Sequence, residues 1–191
     1  MLGPFHAEGA PLRQYGDTIA EKDDGPLTWV NGRVLNLDGE PLAGAVLDIW
    51  QNGSDELYAV QDPEVPERHL TGKFETRADG SFGFVAVRPV PYPIPDDGPV
   101  GNMLEATGRH PWRPAREYAR VSAPGYRTVT THFFDSESKY LDDDAVFAVK
   151  QSLLCDFVPH SADDPDRPEG IDEDYTSVTI DVVLAPAEDP A

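Results

Sequence analysis

The sequence predicts an all-β domain, an antiparallel β-sandwich with long loops and one short helix. Short segments of alternating or continuous apolar character recur along the 191 residues, each bounded by turn dipeptides. The chain holds 19 Pro and 16 Gly, punctuation that suits many turns better than long helices. No internal repeat and no coiled-coil heptad accompanies them.

Taken in order, the first ~25 residues are rich in Gly, Pro and charge without a sustained period, and predict loop. Thr28 to Leu37 predicts a strand that ends at the turn pair Asp38-Gly39. Ala45 to Trp50 predicts a second strand, apolar on both faces near its end and therefore internal. Ser81 to Val87 alternates after another turn pair, Asp79-Gly80. The Pro-rich segment 89–101 is excluded from a central strand, because proline removes ladder donors. Strands resume at 118–122, 128–134, 152–157 and 177–184, and Asp142–Val149 predicts the short helix.

The formal net charge of −20 opposes binding to a phosphate backbone or an anionic membrane surface. No apolar run is long enough to span a bilayer, and Met1-Leu2-Gly3-Pro4-Phe5 lacks the basic start of a leader. The expectation is a cytoplasmic protein. Cys155, the single cysteine, lies in an apolar run and is expected to be a buried structural thiol. The acidic stretches Asp163–Asp166 and Asp172–Asp174 predict solvated loops, with a cation-binding loop as the minor alternative.

Several longer motifs stand in a fixed order. They are Gly32 to Gln51, Glu56-Leu57-Tyr58, Tyr92-Pro-Ile-Pro-Asp-Asp-Gly-Pro-Val-Gly101, Arg109-His-Pro-Trp-Arg-Pro-Ala115, Ala123 to Phe133 and Tyr140 to Lys150. Together they resemble the intradiol ring-cleavage dioxygenases, the catechol and hydroxyquinol 1,2-dioxygenase family, over residues 1 to about 157. The resemblance implies a β-sandwich and a ferric ion held by two tyrosines and a His-x-His pair. It places the tyrosines at Tyr58 and Tyr92. It also implies that Arg113 stabilises charge over the substrate ring, and that His132 stands near the metal as a polar neighbour. Leu2, Pro4 and Trp50 are the expected substrate-binding residues. Relatives of this kind also carry a helical N-terminal dimerisation region. The expectation is therefore one catalytic domain, residues 1–191, lacking that region.

Where the resemblance leads to His-x-His, this chain reads Arg116-Glu117-Tyr118. The i, i+2 spacing puts Arg116 and Tyr118 on one face of a strand. A guanidinium stays protonated and has no lone pair for a cation. The expectation drawn from this is a lost iron site, no cofactor, and an iron-independent enzyme of cyclase, isomerase or dehydratase type in secondary metabolism. Arg113 and Arg116 would stabilise an enolate or phenolate of a phenolic or polyketide-like substrate. Tyr58, Tyr92, Tyr118 and His132 would move protons, the tyrosines with pKa values lowered by the two arginines. Two alternatives stand beside it. One is an Fe(III)-dependent ring-cleavage dioxygenase of catechol or hydroxyquinol, with Tyr58 and Tyr92 as ligands. The other is a non-catalytic binding protein or partner subunit. Neither nucleic acid nor membrane is an expected partner; a second copy, forming a homodimer, is.

Overall fold

A computed structural model describes residues 2–20 and 25–187. Positions 1 and 21–24 of the expected N-terminal loop lie outside them. The strands are β1 (Leu12–Arg13), β2 (Leu27–Asn36), β3 (Val46–Trp50), β4 (Thr71–Glu75), β5 (Ser81–Val87) and β6 (Tyr92–Pro93). They continue as β7 (Trp112–Arg113), β8 (Arg116–Ser122), β9 (Val129–Asp135), β10 (Leu154–Cys155), β11 (Val158–His160) and β12 (Tyr175–Leu184). One α-helix, α1 (Pro99–Ala106), and a single 3₁₀ turn at Gln151–Leu153 complete the described elements.

Ten strands form a six-stranded sheet in the order β1-β4-β3-β8-β9-β10 and a four-stranded sheet in the order β11-β12-β2-β5, and β6 and β7 pair separately. Strand alternation decides what each face meets. On β3, Leu47 and Ile49 point between the sheets, where they join Phe74, Ala119 and Val121 of their own sheet. Val30, Val34, Phe84, Val178 and Val182 close the core from the other sheet. The opposite face of the larger sheet carries Asp48, Trp50, Arg116, Tyr118 and His132 instead. That outer face builds the candidate site.

The sheets are mixed, which corrects the antiparallel expectation. β12 runs parallel to β2 from Thr176 opposite Thr28 to Leu184 opposite Asn36. The pairs β1–β4 and β9–β10 are also parallel. Alternation of side chains has period two in either direction, so it carries no information about strand polarity. The β2–β12 approach is close: a Cβ on Gly32 would lie 1.8 Å from the Ile180 carbonyl oxygen.

The helix is also elsewhere. Residues 142–149 form bends and turns, because Asp144 turns its carboxylate back to accept from the amides of Val146 (3.4 Å) and Ala148 (2.8 Å). Phe147, at φ 57°, then ends any helical path. The segment 99–106 becomes the helix instead, where Pro99 supplies the φ suited to a first turn.

A buried threonine ties the loop before β3 to the end of β4. The Thr76 hydroxyl accepts from the amide of Ala45 at 2.9 Å and donates to the Leu42 carbonyl. Thr76→Val keeps the shape and strands both groups, so it is expected to cost about 1–3 kcal/mol in urea denaturation. A change under about 0.5 kcal/mol would mean that water replaces the hydroxyl.

Candidate active site

Tyr58, Tyr92 and Trp50 form a buried aromatic cluster on the outer face of the six-stranded sheet, with Leu2, Phe5, Ile94 and Tyr118 packed around it. Each arrives from a different element. Trp50 and Tyr118 are cross-strand partners on β3 and β8, and their rings stack at 5.1 Å with an interplanar angle of 3°. Tyr118 is in turn paired with His132 on β9. Tyr92 reaches the cluster through a two-residue ladder in which it faces Arg113. Tyr58 comes from the loop after β3, sandwiched against Phe5 at 4.4 Å and edge-on to Tyr92 at 5.1 Å.

Two arginines thread this cluster. Arg113 is buried and held bidentately by Asp144, through Nε–Oδ1 at 2.9 Å and Nη2–Oδ2 at 3.2 Å, and donates from Nη1 to the Tyr118 hydroxyl at 2.9 Å. Burial works against its charge, but the Asp144 hydrogen bonds and the surrounding phenols outweigh it and hold the guanidinium protonated. Burial likewise opposes ionisation of Asp144, yet the bond from Arg113 and the Ala148 amide keep its pKa below the ordinary value. Arg116 is fully buried. Its Nη2 donates to the Tyr92 hydroxyl, and its guanidinium lies over the rings of Tyr92 (4.7 Å) and Tyr118 (5.2 Å). Its Nε and Nη1 have no hydrogen-bond partner.

The expected lowering of the tyrosine pKa is reversed at Tyr58 and Tyr92. Burial raises Tyr58 well above the ordinary value, helped by the neighbouring Tyr92, and burial also raises Tyr92 against the pull of Arg116. The buried Tyr58 hydroxyl lies against that of Tyr92 without a well-formed hydrogen bond. His132 moves the other way: burial, then Arg116 and Arg113, push it down to about 4. Its ring is neutral near pH 7 and is too weak a base for efficient proton abstraction there. What the neutral ring offers the cavity is a hydrogen bond.

A cavity of about 410 Å³ opens beside the cluster, walled by Leu2, Gly3, Arg113, Tyr118, Thr130 and His132 among others. The structure therefore brings together Leu2, Tyr58, Tyr92, Arg113, Arg116, Tyr118 and His132. Two expected substrate contacts fall outside the cavity wall. Pro4 is exposed, its place at the wall taken by Gly3, and Trp50 lies under Tyr118 as a floor. Asp144 is the residue sequence reasoning missed. Its signal was indirect: an arginine assigned to a closed pocket demands a carboxylate partner. Among the described residues, no group of three or more His, Cys, Asp or Glu side chains is placed to hold a metal ion. The donors this site offers a cation are the phenols of Tyr58, Tyr92 and Tyr118 and the imidazole of His132.

The dioxygenase family model matches residues 1–186 of this chain. The 6-chlorohydroxyquinol 1,2-dioxygenase of Cupriavidus pinatubonensis is 48% identical over 158 residues, covering 83% of this chain and 57% of that protein. The chain belongs to the intradiol ring-cleavage dioxygenase family. A second family member, the hydroxyquinol 1,2-dioxygenase of Nocardioides simplex, is 42% identical over 192 residues, covering 98% of this chain and 64% of its own length. The crystal structure of hydroxyquinol 1,2-dioxygenase from Pseudomonas putida superposes with a TM-score of 0.91 at 44% identity, over 98% of this chain and 65% of that one. The chain thus spans between about half and two thirds of the length of these intradiol relatives.

Membership corrects the functional expectation. Relatives at 42–48% identity are named as hydroxyquinol or chlorohydroxyquinol 1,2-dioxygenases, so the iron-independent cyclase, isomerase or dehydratase reading is overturned. The expectations of no cofactor and of a lost iron site fall with it, because this is the family whose resemblance implied ferric iron. Arg116 and Tyr118 stand as observed; the conclusion that oxidative chemistry had gone does not follow from them. An enzyme is what the family indicates. No helix among the described residues is long and apolar enough to cross a membrane.

Proposed function

We propose that this chain is the catalytic unit of a ring-cleaving dioxygenase that takes an aromatic diol of the hydroxyquinol or catechol type. The observation that carries the reading is the cavity beside Arg113, Tyr118 and His132, backed by the two buried phenols of Tyr58 and Tyr92. Tyr118 and His132 put aromatic rings on its wall, and the fixed positive charge of Arg113 suits an ionised diol. The names of the hydroxyquinol relatives support the same substrate class.

Ferric iron is the cofactor the family implies, and the residues agree with it at two groups and conflict at one. Tyr58 and Tyr92 would hold it, since phenol oxygens are the hard donors that suit Fe(III) and the Tyr58 hydroxyl is buried with its hydrogen bonding unmet. Arg116 conflicts, because a buried guanidinium donating to the Tyr92 oxygen competes for that donor and repels a cation. When bound, the ion supplies the redox chemistry that couples the diol to oxygen.

The protein's own residues contribute binding and charge. Arg113, fixed in place by Asp144, presents a guanidinium that stabilises negative charge on the diol. Tyr118 and the neutral His132 offer hydrogen bonds along one wall, and Leu2 adds an apolar contact. Assembly as a homodimer is part of the proposal.

The test is oxygen uptake with hydroxyquinol and catechol by protein incubated with ferrous iron in air, together with iron content and the visible spectrum. One oxygen consumed per diol, with bound iron and a phenolate charge-transfer band, is the expected result. Protein that remains folded but holds no iron and consumes no oxygen would overturn the reading.

A further inference from the structure

A second cavity, of about 380 Å³, adjoins the first and shares two of its walls, Leu2 and Thr130. Cross-strand register explains the contact. Trp50, Tyr118 and His132 form one row across β3, β8 and β9. Two residues further along, Lys73, Asp48, Arg120 and Thr130 form the next row, across β4, β3, β8 and β9. Both rows face the same side of the sheet, because residues two apart on a strand do so. The second row is thus an extension of the substrate wall.

Its chemistry differs from the first. Asp48 is buried and already engaged, by His6 Nε2 at 3.2 Å and more loosely by Lys73 Nζ at 3.9 Å. The His6 ring is itself wedged edge-on against Trp50 at 4.7 Å. Arg120 lines the same space, exposed and not tied by an ion pair to any described residue. Glu8, also exposed, is the one carboxylate at the mouth that stands apart from these contacts. The cavity holds Lys73 and Arg120 against Asp48 and Glu8, and because Asp48 is taken up by His6 and Lys73, Arg120 is the cation left to meet a ligand.

We propose that this second cavity is a subsite for an anionic arm, so that the preferred substrate is an aromatic diol whose ring carries a short acidic side chain. The ring lies beside Arg113, Tyr118 and His132, and the carboxylate lies against Arg120 and Lys73. Reach sets the length of the arm. The rows are offset by roughly 6.7 Å, two steps along a strand. A carboxylate bonded directly to the ring extends only about 4 Å from the ring centre, given carbon–carbon bonds near ~1.5 Å. One or two intervening carbons close the difference. A planar guanidinium can then grip the carboxylate with two parallel hydrogen bonds.

This inference rests on the diol reading above, and the test separates the two. Calorimetric titration compares unsubstituted catechol, dihydroxyphenylpropionate and its uncharged methyl ester on the wild type, Arg120→Gln and Lys73→Gln. The acid is expected to bind about tenfold more tightly than the ester, the gain of a charge-assisted hydrogen bond over a neutral one. That ratio should fall towards one in Arg120→Gln, whose exposed side chain can be exchanged without disturbing the fold. Equal affinities for acid and ester, or a ratio unchanged in both variants, would overturn the subsite while leaving diol binding intact. Failure of all three compounds to bind the wild type would overturn the diol reading and the subsite together.

Discussion

Asp144→Ala will lower the stability of this protein by about 3–5 kcal/mol, the cost typical of leaving one member of a buried ion pair without its partner. Asp144 is 2% exposed and makes both arms of the bidentate clamp on Arg113. Without it, the buried guanidinium keeps only the Tyr118 hydroxyl, and the amides of Val146 and Ala148 lose their acceptor as well. The loss extends to the site, because Arg113 would no longer be aimed at the cavity. Acid should have a related effect. The folded pKa of Asp144 is held below its ordinary value of 3.8, so its contribution is present above that pH and is lost as pH falls through the folded value. Urea denaturation followed by tryptophan fluorescence measures the change. A loss below about 1 kcal/mol would mean that Arg113 is solvated rather than clamped.

Much of this architecture was legible in the sequence, for identifiable reasons. On β2, buried Val30 and Val34 stand four apart with Asn31 and Arg33 turned the other way between them, and that period places the buried face of the strand. The spacing of Arg116 and Tyr118 correctly put both on one face, and the motifs brought Tyr58, Tyr92, Arg113 and His132 to one place. What escaped depends on tertiary context. Asp142, Asp143 and Asp144 are alike in sequence, yet only the third is buried, because only it meets Arg113. The direction of β12 was hidden because alternation does not encode polarity. The tyrosine pKa values were read from charge neighbours alone, whereas burial is the larger influence on both. The functional reading failed for a related reason. It weighed two positions, 116 and 118, above the remainder of a chain that is 42–48% identical to hydroxyquinol-type dioxygenases.

Glu117→Gln should stabilise the protein above neutral pH, and by a margin that grows as pH rises. Glu117 follows Arg116 directly, but alternation turns it to the other face of β8, where it shares the inter-sheet core with Ala119 and Val121. It is 2% exposed and lies opposite Phe133. Burial alone pushes its pKa up to about 8. The sign follows from linkage. A carboxyl whose folded pKa is raised contributes fully below its unfolded value of 4.5, and that contribution is lost as pH rises through about 8. Between those limits the folded state holds a proton the unfolded state has released, which costs about 1.4 kcal/mol for each pH unit. The difference between variant and wild type should therefore be small near pH 5 and reach several kcal/mol, on the order of 3–5, near pH 8. The other carboxylates cancel in that difference, so their own titration does not mask it. Urea unfolding of both proteins at several pH values gives it directly. A difference that stays constant with pH would mean that Glu117 is already ionised in the folded core, and the desolvation assigned to it would be wrong.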